Sequence, residues 1–237
     1  MRFQGGLKAE DWRRWGQFTT FKTNAAELVQ ESLRGDEIVY CSPLVDPYQP
    51  AEDNERMMPR VLEALLKAER PPRVFTIQTR GPGVLRDLPL LARLAGTMDV
   101  RVSFSLTTNR DEVRRWYEPH CATLEERLRA VRTLQEHGIR TFATLAPLLP
   151  CDPEMLARQA IEATRENVIG DPFHVRIVKR HGATTRPEAE KVSRVHGFER
   201  WHEPEFQREV VMRIGAVVHA AGREFAVGTE GFRWLAS

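Results

Sequence analysis

The stretch whose reading decides the fold is Glu37 to Glu52, EIVYCSPLVDPYQPAE. Ile38, Val39 and Tyr40 form a short apolar run of β-forming residues and predict a strand over Glu37–Ser42. Pro43, Pro47 and Pro50 follow at close spacing. Each removes a backbone donor and drives the preceding residue toward extended geometry, so neither helix nor strand continues. The result is a stiff loop carrying Ser42, Asp46, Tyr48 and Gln49, all able to hydrogen-bond a ligand. Asp53 is placed to cap the helix beyond it. Ligands of α/β proteins gather at the carboxyl ends of parallel strands, and this loop leaves such an end. The same residues would also serve a proline-stiffened surface connection.

Outward from this stretch the pattern repeats. Upstream, Gln17–Lys22 predicts a short strand, and Asn24 caps a helix over Ala25–Arg34 that Gly35 ends. Downstream, Met57, Val61, Leu62, Leu65 and Leu66 stand at helical spacing within Asp53–Glu69. Pro59 inside that segment implies a kink or a late start. A strand over Val74–Gln78 and a leucine-rich helix over Asp87–Ala95 come next. The strand Asp99–Thr107 alternates cleanly, with Val100, Val102, Phe104 and Leu106 on one side. Arg101, Ser103, Ser105 and Thr107 take the other, either as a ligand-facing row or as the wet face of an edge strand. A helical turn over Arg110–Tyr117 leads to the helix Thr123–His137. Thr123 and Glu126 have capping-box spacing there, and Gly138 follows the last turn.

A strand over Thr141–Leu145, an Asp152-capped helix over Pro153–Arg165 and a strand over Phe173–Val178 complete the alternation. His174–His196 reads as a mobile basic loop. Pro204–Ala221 reads as a last helix, and the glycine-rich end, residues 222–234, as a turn with a closing hairpin or coil. Strand and helix thus alternate about five times, the pattern of an α/β parallel sheet with right-handed crossovers. The strands near 37–42, 74–78, 100–107, 141–145 and 173–178 are expected to be parallel and adjacent in that order, within a single domain spanning 1–237. Residues 1–16 read as a lead-in and 181–237 as a C-terminal extension.

Composition narrows the class. The chain has 237 residues, 41% hydrophobic and 29% charged, which is the balance of a soluble globular domain. No apolar run approaches a ~20-residue membrane span, and Met1–Gly6 shows no signal-peptide pattern, so a cytoplasmic location is expected. A net charge of +2 is too small to argue nucleic-acid binding by itself. Cys41, Cys121 and Cys151 are isolated from one another, without the C-x-x-C spacing of a metal knuckle. The histidines lack H-x-H or H-E-x-x-H spacing, which disfavours a metal-dependent hydrolase.

Three segments taken together carry more information than any one of them. SPLVDPYQPAE follows the first major strand and TRGPGVLRDLPLLARL the second. VRVSFSLTTNRDEVRRWYEPHCATLEERLRAVRTLQEHGI, followed by ATLAPLLP, spans the third and fourth. Over roughly residues 18–180 the chain resembles the radical SAM superfamily, and within it the spore-photoproduct-lyase-like branch. The resemblance implies a partial (β/α) barrel that holds S-adenosylmethionine and a [4Fe–4S] cluster. With electrons from an external donor, the reduced cluster cleaves the cofactor to a 5′-deoxyadenosyl radical. It also implies that Ser42 to Tyr48 contact the methionine amino group, with Asp46 as acceptor. Thr79, Ser103, Ser105, Thr107 and Arg80 would serve the carboxylate and ribose, and Ala146–Pro147 would pack near the adenine.

The departures from the branch pattern are specific. Its C-x-x-x-C-x-x-C cluster loop, which belongs upstream of Gln17–Lys22, is absent, as is the first barrel strand. Gly81 stands where the branch usually has serine, and Cys151 where it often has glycine. The chain is therefore expected to be a family member without its amino-terminal part, through truncation or a misassigned start at Met1. Its own residues should hold no cluster, and the 37–42 strand should be an exposed edge. No catalytic hydrogen donor is assigned, Cys151 and Tyr117 being the candidates. Glu118 and Arg127 are expected to pair and hold their loop. The substrate is open, DNA among the choices. The alternative is a non-enzymatic degenerate barrel that binds a nucleotide-like ligand, or nucleic acid through the basic 174–196 segment.

Overall fold

The computed structural model describes residues 19–41, 45–173 and 187–237. Within them the strands β1 (Ile38–Cys41), β2 (Val74–Thr79), β3 (Asp99–Ser105), β4 (Arg140–Leu148), β5 (Val168–Pro172) and β6 (Phe225–Val227) form one sheet. Its order is β1-β2-β3-β4-β5-β6, and every neighbouring pair is parallel. The helices between are α1 (Ala25–Ser32), α2 (Glu52–Glu55), α3 (Met57–Lys67), α4 (Leu88–Ala95), α5 (Asp111–Tyr117), α6 (Leu124–Glu136), α7 (Pro153–Ala163), α8 (Pro187–His196), α9 (Pro204–Ala220) and α10 (Thr229–Arg233).

Strict sequential order has a geometric consequence. Right-handed crossovers between successive neighbours place each connecting helix on the same side of the sheet. Phe75 and Ile77 of β2, Val102 and Phe104 of β3 and Leu145 of β4 accordingly share one buried cluster with α3, α4, α6, α7 and α9, through Leu62, Leu91, Leu134, Leu156 and Ile214. Each of these side chains is 0–1% exposed, and such side chains are worth about 1.5–3 kcal/mol apiece on burial.

The opposite face has another composition. β-register places Gln78 beside Ser103, and Ser103 and Ser105 beside Phe142 and Thr144. Its lower end is covered by the C-terminal segment. Phe142, Ile169 and Leu235 pack together with Tyr40, Phe232 and Trp234 against them. Thr76 donates to the Leu235 carbonyl at 2.6 Å and Arg101 to the Trp234 carbonyl at 2.8 Å. The hydroxyls of β3 are thus buried in the third strand of the sheet, not the wet face of an edge. Among the described residues the edges are β1 and β6, and Ile38 of β1 is 40% exposed.

Local signals explain both ends of α6 and the start of α7. Thr123 and Glu126 form the reciprocal capping box, and the Asp152 carboxylate caps α7 on the Met155 N–H. Gly138 takes a φ of 77° just beyond α6, a conformation that suits glycine.

Six expectations need correction. The Asn24 side chain makes no cap to α1, which ends at Ser32 rather than Arg34. Asp53 caps nothing; it lies inside the four-residue α2. Arg56, at φ 53°, breaks the helix there, and α3 starts late with Pro59 in its first turn, where the missing N–H has no partner to lose. Residues 19–22 form no strand. The strand expected at Phe173–Val178 lies earlier, as β5; Phe173 is outside it and 174–178 are outside the described residues. A Cβ on Gly170 would stand 2.6 Å from the Phe225 ring of β6, so close strand packing explains the glycine within β5. Residues 187–196 of the supposed basic loop are the helix α8. The C-terminal end makes no hairpin. A helical crossover separates β5 from β6, which makes that pair parallel, as such connections require.

Candidate functional site

The carboxyl ends of β1, β2 and β3 converge on a hydrogen-bonded cluster. Asp46, in the proline-stiffened loop after β1, lies at its centre. Its Oδ1 accepts from the Tyr48 N–H at 2.9 Å and the Thr79 hydroxyl at 3.0 Å, and its Oδ2 from the Arg80 N–H at 2.8 Å. A carboxylate has about four acceptor positions, so these three donors leave Asp46 little room for another. The loop after β1 is thereby latched to the end of β2. Residues 42–44, including the candidate Ser42, lie outside the described residues.

Arg80, first beyond β2, reaches Glu118 with Nη1 at 2.7 Å. Glu118 lies in the loop after α5 and uses both oxygens. Oε2 accepts from Arg127 Nη2 at 2.7 Å and from the Thr107 hydroxyl at 2.8 Å. Arg127, on the first turn of α6, donates also to the Ala122 and Ser105 carbonyls. The expected Glu118–Arg127 pair is present, and Arg80 joins it. Burial pushes the Glu118 carboxyl up, but the Arg127 and Arg80 charges and the bonds from Arg127 and Thr107 outweigh it and hold it below the usual carboxylate range. A buried carboxylate between two guanidiniums stays ionised.

The remaining candidates divide. Thr79 and Thr107 are in the cluster, but their hydroxyls donate to Asp46 and Glu118. Ser103 and Ser105 lie on the polar face of β3, the face of Gln78 rather than of Thr79, with Ser103 bonded to the Thr144 hydroxyl at 2.7 Å. Tyr40 donates to Gln78 at 2.8 Å. Pro147 sits where the β4–β5 register shifts, behind a cis Ala146–Pro147 bond. Tyr48 turns its ring away from the cluster, onto Gly83 and beneath the Arg86 guanidinium at 5.5 Å. Burial and the Asp87 charge push its phenol up. Arg80 is the cation of this cluster with unengaged donors: among the described residues neither Nε nor Nη2 has a hydrogen bond, and the side chain is 39% exposed.

The cluster that the resemblance implies would need cysteine thiolates as its ligands. Cys41 ends β1 with its sulfur 4.0 Å from Met58 Sδ. Cys121 follows Glu118, and burial and the Glu118 charge push its thiol up. Cys151 precedes α7, and burial raises its thiol to about 12. Thiolates at such positions are disfavoured. Among the described residues no three His, Cys, Asp or Glu side chains are grouped to hold a metal ion. These residues do not fit an iron–sulfur cluster.

Gln78, Tyr40 and Thr144 complete the polar face and were not singled out from the sequence. Their signal is parity: once register is known, Thr144 falls on the face of Ser105. Among the described residues no helix is long and apolar enough to cross a membrane.

No family model matches the chain. It is similar to an uncharacterized protein of Mycobacterium tuberculosis, 33% identical over 133 residues, covering 54% of this chain and 38% of the relative. An uncharacterized protein of Methanocaldococcus jannaschii is 25% identical over 141 residues, 59% of this chain and 51% of the relative. One from the Acidianus two-tailed virus is 26% identical over 179 residues, 69% of this chain and 56% of the relative. The chain therefore spans about half, or less, of the length of these relatives.

Proposed function

We propose that this chain is the S-adenosylmethionine-binding part of a radical SAM enzyme of the spore-photoproduct-lyase-like type, and that its sheet is the partial (β/α) barrel of that class. The observation that carries the reading is the sheet itself: six parallel strands in sequential order, the connecting helices on one face, and an opposite face that is polar above the part the C-terminal segment covers. A sheet of this kind curls around its uncovered face and presents strand-end loops to a ligand. The three motif segments end at those loops.

An amino-acid zwitterion needs donors for its carboxylate and acceptors for its ammonium. Arg80 supplies unengaged donors here, which favours it over the hydroxyls of Thr79 and Thr107 as the carboxylate partner. Asp46 acts chiefly as the latch that sets Arg80 in place. Since the cysteines do not fit a cluster, no radical step is assigned to residues of this chain.

Calorimetric titration of the chain with S-adenosylmethionine tests the reading. Saturable binding that Arg80→Ala weakens by at least tenfold, in the range of a charged hydrogen bond, about 1.5–3 kcal/mol, is the expected result. Absence of binding, or binding indifferent to Arg80, removes it.

A further inference from the structure

We infer that Glu118 is a positioning residue that presets Arg80, holding the guanidinium by Nη1 and keeping its Nε–Nη2 edge free to take a carboxylate or phosphate oxyanion through two parallel bonds. The inference rests on the binding role proposed for Arg80. Its basis is how the bonds are distributed. The backbone N–H of Arg80 is held by Asp46 at 2.8 Å and its Nη1 by Glu118 at 2.7 Å, so the long side chain is anchored at both ends. Glu118 cannot follow a moving arginine. Its side chain is 7% exposed, and Arg127 and Thr107 hold its other oxygen. Of the two bidentate geometries open to arginine, the one using Nε and Nη2 is left whole. Two guanidiniums share one carboxylate, so the charge of Arg80 is not cancelled by Glu118 alone. Fixing a flexible cation beforehand lowers the entropy lost when a ligand binds.

A purely electrostatic role makes the opposite prediction. If Glu118 merely neutralised Arg80, Glu118→Gln would strengthen the binding of an anion; if it positions Arg80, the same change weakens it. The unmodified chain, Glu118→Gln, Arg80→Ala and the double variant are titrated with S-adenosylmethionine and with 5′-methylthioadenosine, which lacks the carboxylate. Nuclear magnetic resonance of isotope-labelled arginine, assigned with Arg80→Lys, follows rotation of the Arg80 guanidinium. We expect restricted rotation that Glu118→Gln releases. S-adenosylmethionine should bind Glu118→Gln roughly tenfold more weakly, the scale of one charge-assisted bond. 5′-Methylthioadenosine should bind equally, and Glu118→Gln should have no further effect once Arg80 is alanine. Tighter or unchanged S-adenosylmethionine binding, or an Arg80 signal indifferent to Glu118, overturns the inference. Binding of neither compound by the unmodified chain overturns the proposed function instead, and the Arg80 signal then decides the role of Glu118 by itself. Should Glu118→Gln fail to fold, Thr107→Val loosens Glu118 from its other oxygen. Faster Arg80 rotation is expected there, and an unchanged signal again refutes positioning.

Discussion

Arg80 and Arg86 are six positions apart on the segment that leaves β2, yet they do opposite things. Arg86 is enclosed. It meets Asp53 at 2.8 Å, Glu52 at 3.2 Å and Asp87 at 3.5 Å, over the Tyr48 ring. Glu52 and Asp87 are 1% and 2% exposed, and Glu52 also caps α3 on the Met58 N–H at 2.7 Å. Arg80 meets one carboxylate, and that carboxylate already has a second guanidinium. An arginine that is the main counter-charge for buried acids belongs to the scaffold. One whose acid is satisfied elsewhere has hydrogen-bonding capacity for a ligand. The difference lies in the acids, not in the arginines.

Removing each arginine is the sharpest way to break this contrast, and it carries the largest expected effect. Arg86→Ala takes the guanidinium from buried Glu52 and leaves buried Asp87 with Arg56 at 3.9 Å, and should cost about 3 kcal/mol of unfolding free energy, the scale for breaking a buried pair. Arg80→Ala leaves Glu118 with Arg127 and Thr107 and should cost less than about 1 kcal/mol. Denaturant titration of the two variants measures both values; equal losses would erase the distinction.

Asp46→Ala probes the latch between the two regions. It takes the acceptor from the Thr79 hydroxyl and from the Tyr48 and Arg80 N–H groups, so a loss of about 1–3 kcal/mol is expected. A thermal melt that does not move would mean that the loop after β1 is held by other contacts, and would return Asp46 to the role of ammonium acceptor.

The smallest effect is acid sensitivity at the Arg80 end. Burial raises the Glu118 carboxyl, but the Arg127 and Arg80 charges outweigh it and hold its folded pKa below the ordinary glutamate value of 4.5. Its contribution to stability is therefore complete above that value and is lost as pH falls through the lower folded pKa. Denaturation midpoints measured downward from neutrality should fall more steeply in the unmodified chain than in Glu118→Gln once the pH is under about 4.5. Parallel curves would show that the Glu118 carboxyl titrates alike in both states.

Parts of this arrangement were legible in advance. The capping box of Thr123 and Glu126 and the Asp152 cap are local interactions, encoded within four residues, and they appear as expected. The proline run located the loop after β1, because proline acts on its own φ and on its neighbour regardless of context. Alternation in Asp99–Thr107 gave the two faces of β3. Misreadings came where a distant partner outweighs local preference. The strand expected at Phe173–Val178 lies instead at Val168–Pro172, where Gly170 packs against Phe225 of a strand more than fifty residues on. Glu118 was read as the partner of Arg127 alone; Arg80, 38 positions away, could be added only in space.

The sequence by itself determined the alternation of strand and helix, the four strands from β1 to β4 and their order, and the loops that leave those strand ends. These follow from backbone chemistry and periodicity, which act over a few residues. Tertiary structure alone decided that β6 extends the sheet in parallel, that the C-terminal segment covers the lower polar face, and which polar groups at the strand ends retain free donors. Hydrogen-bonding capacity is a property of the pairing, not of the residue type: Thr79, Thr107 and Asp46 have theirs taken up by partners on other elements, and Arg80 does not.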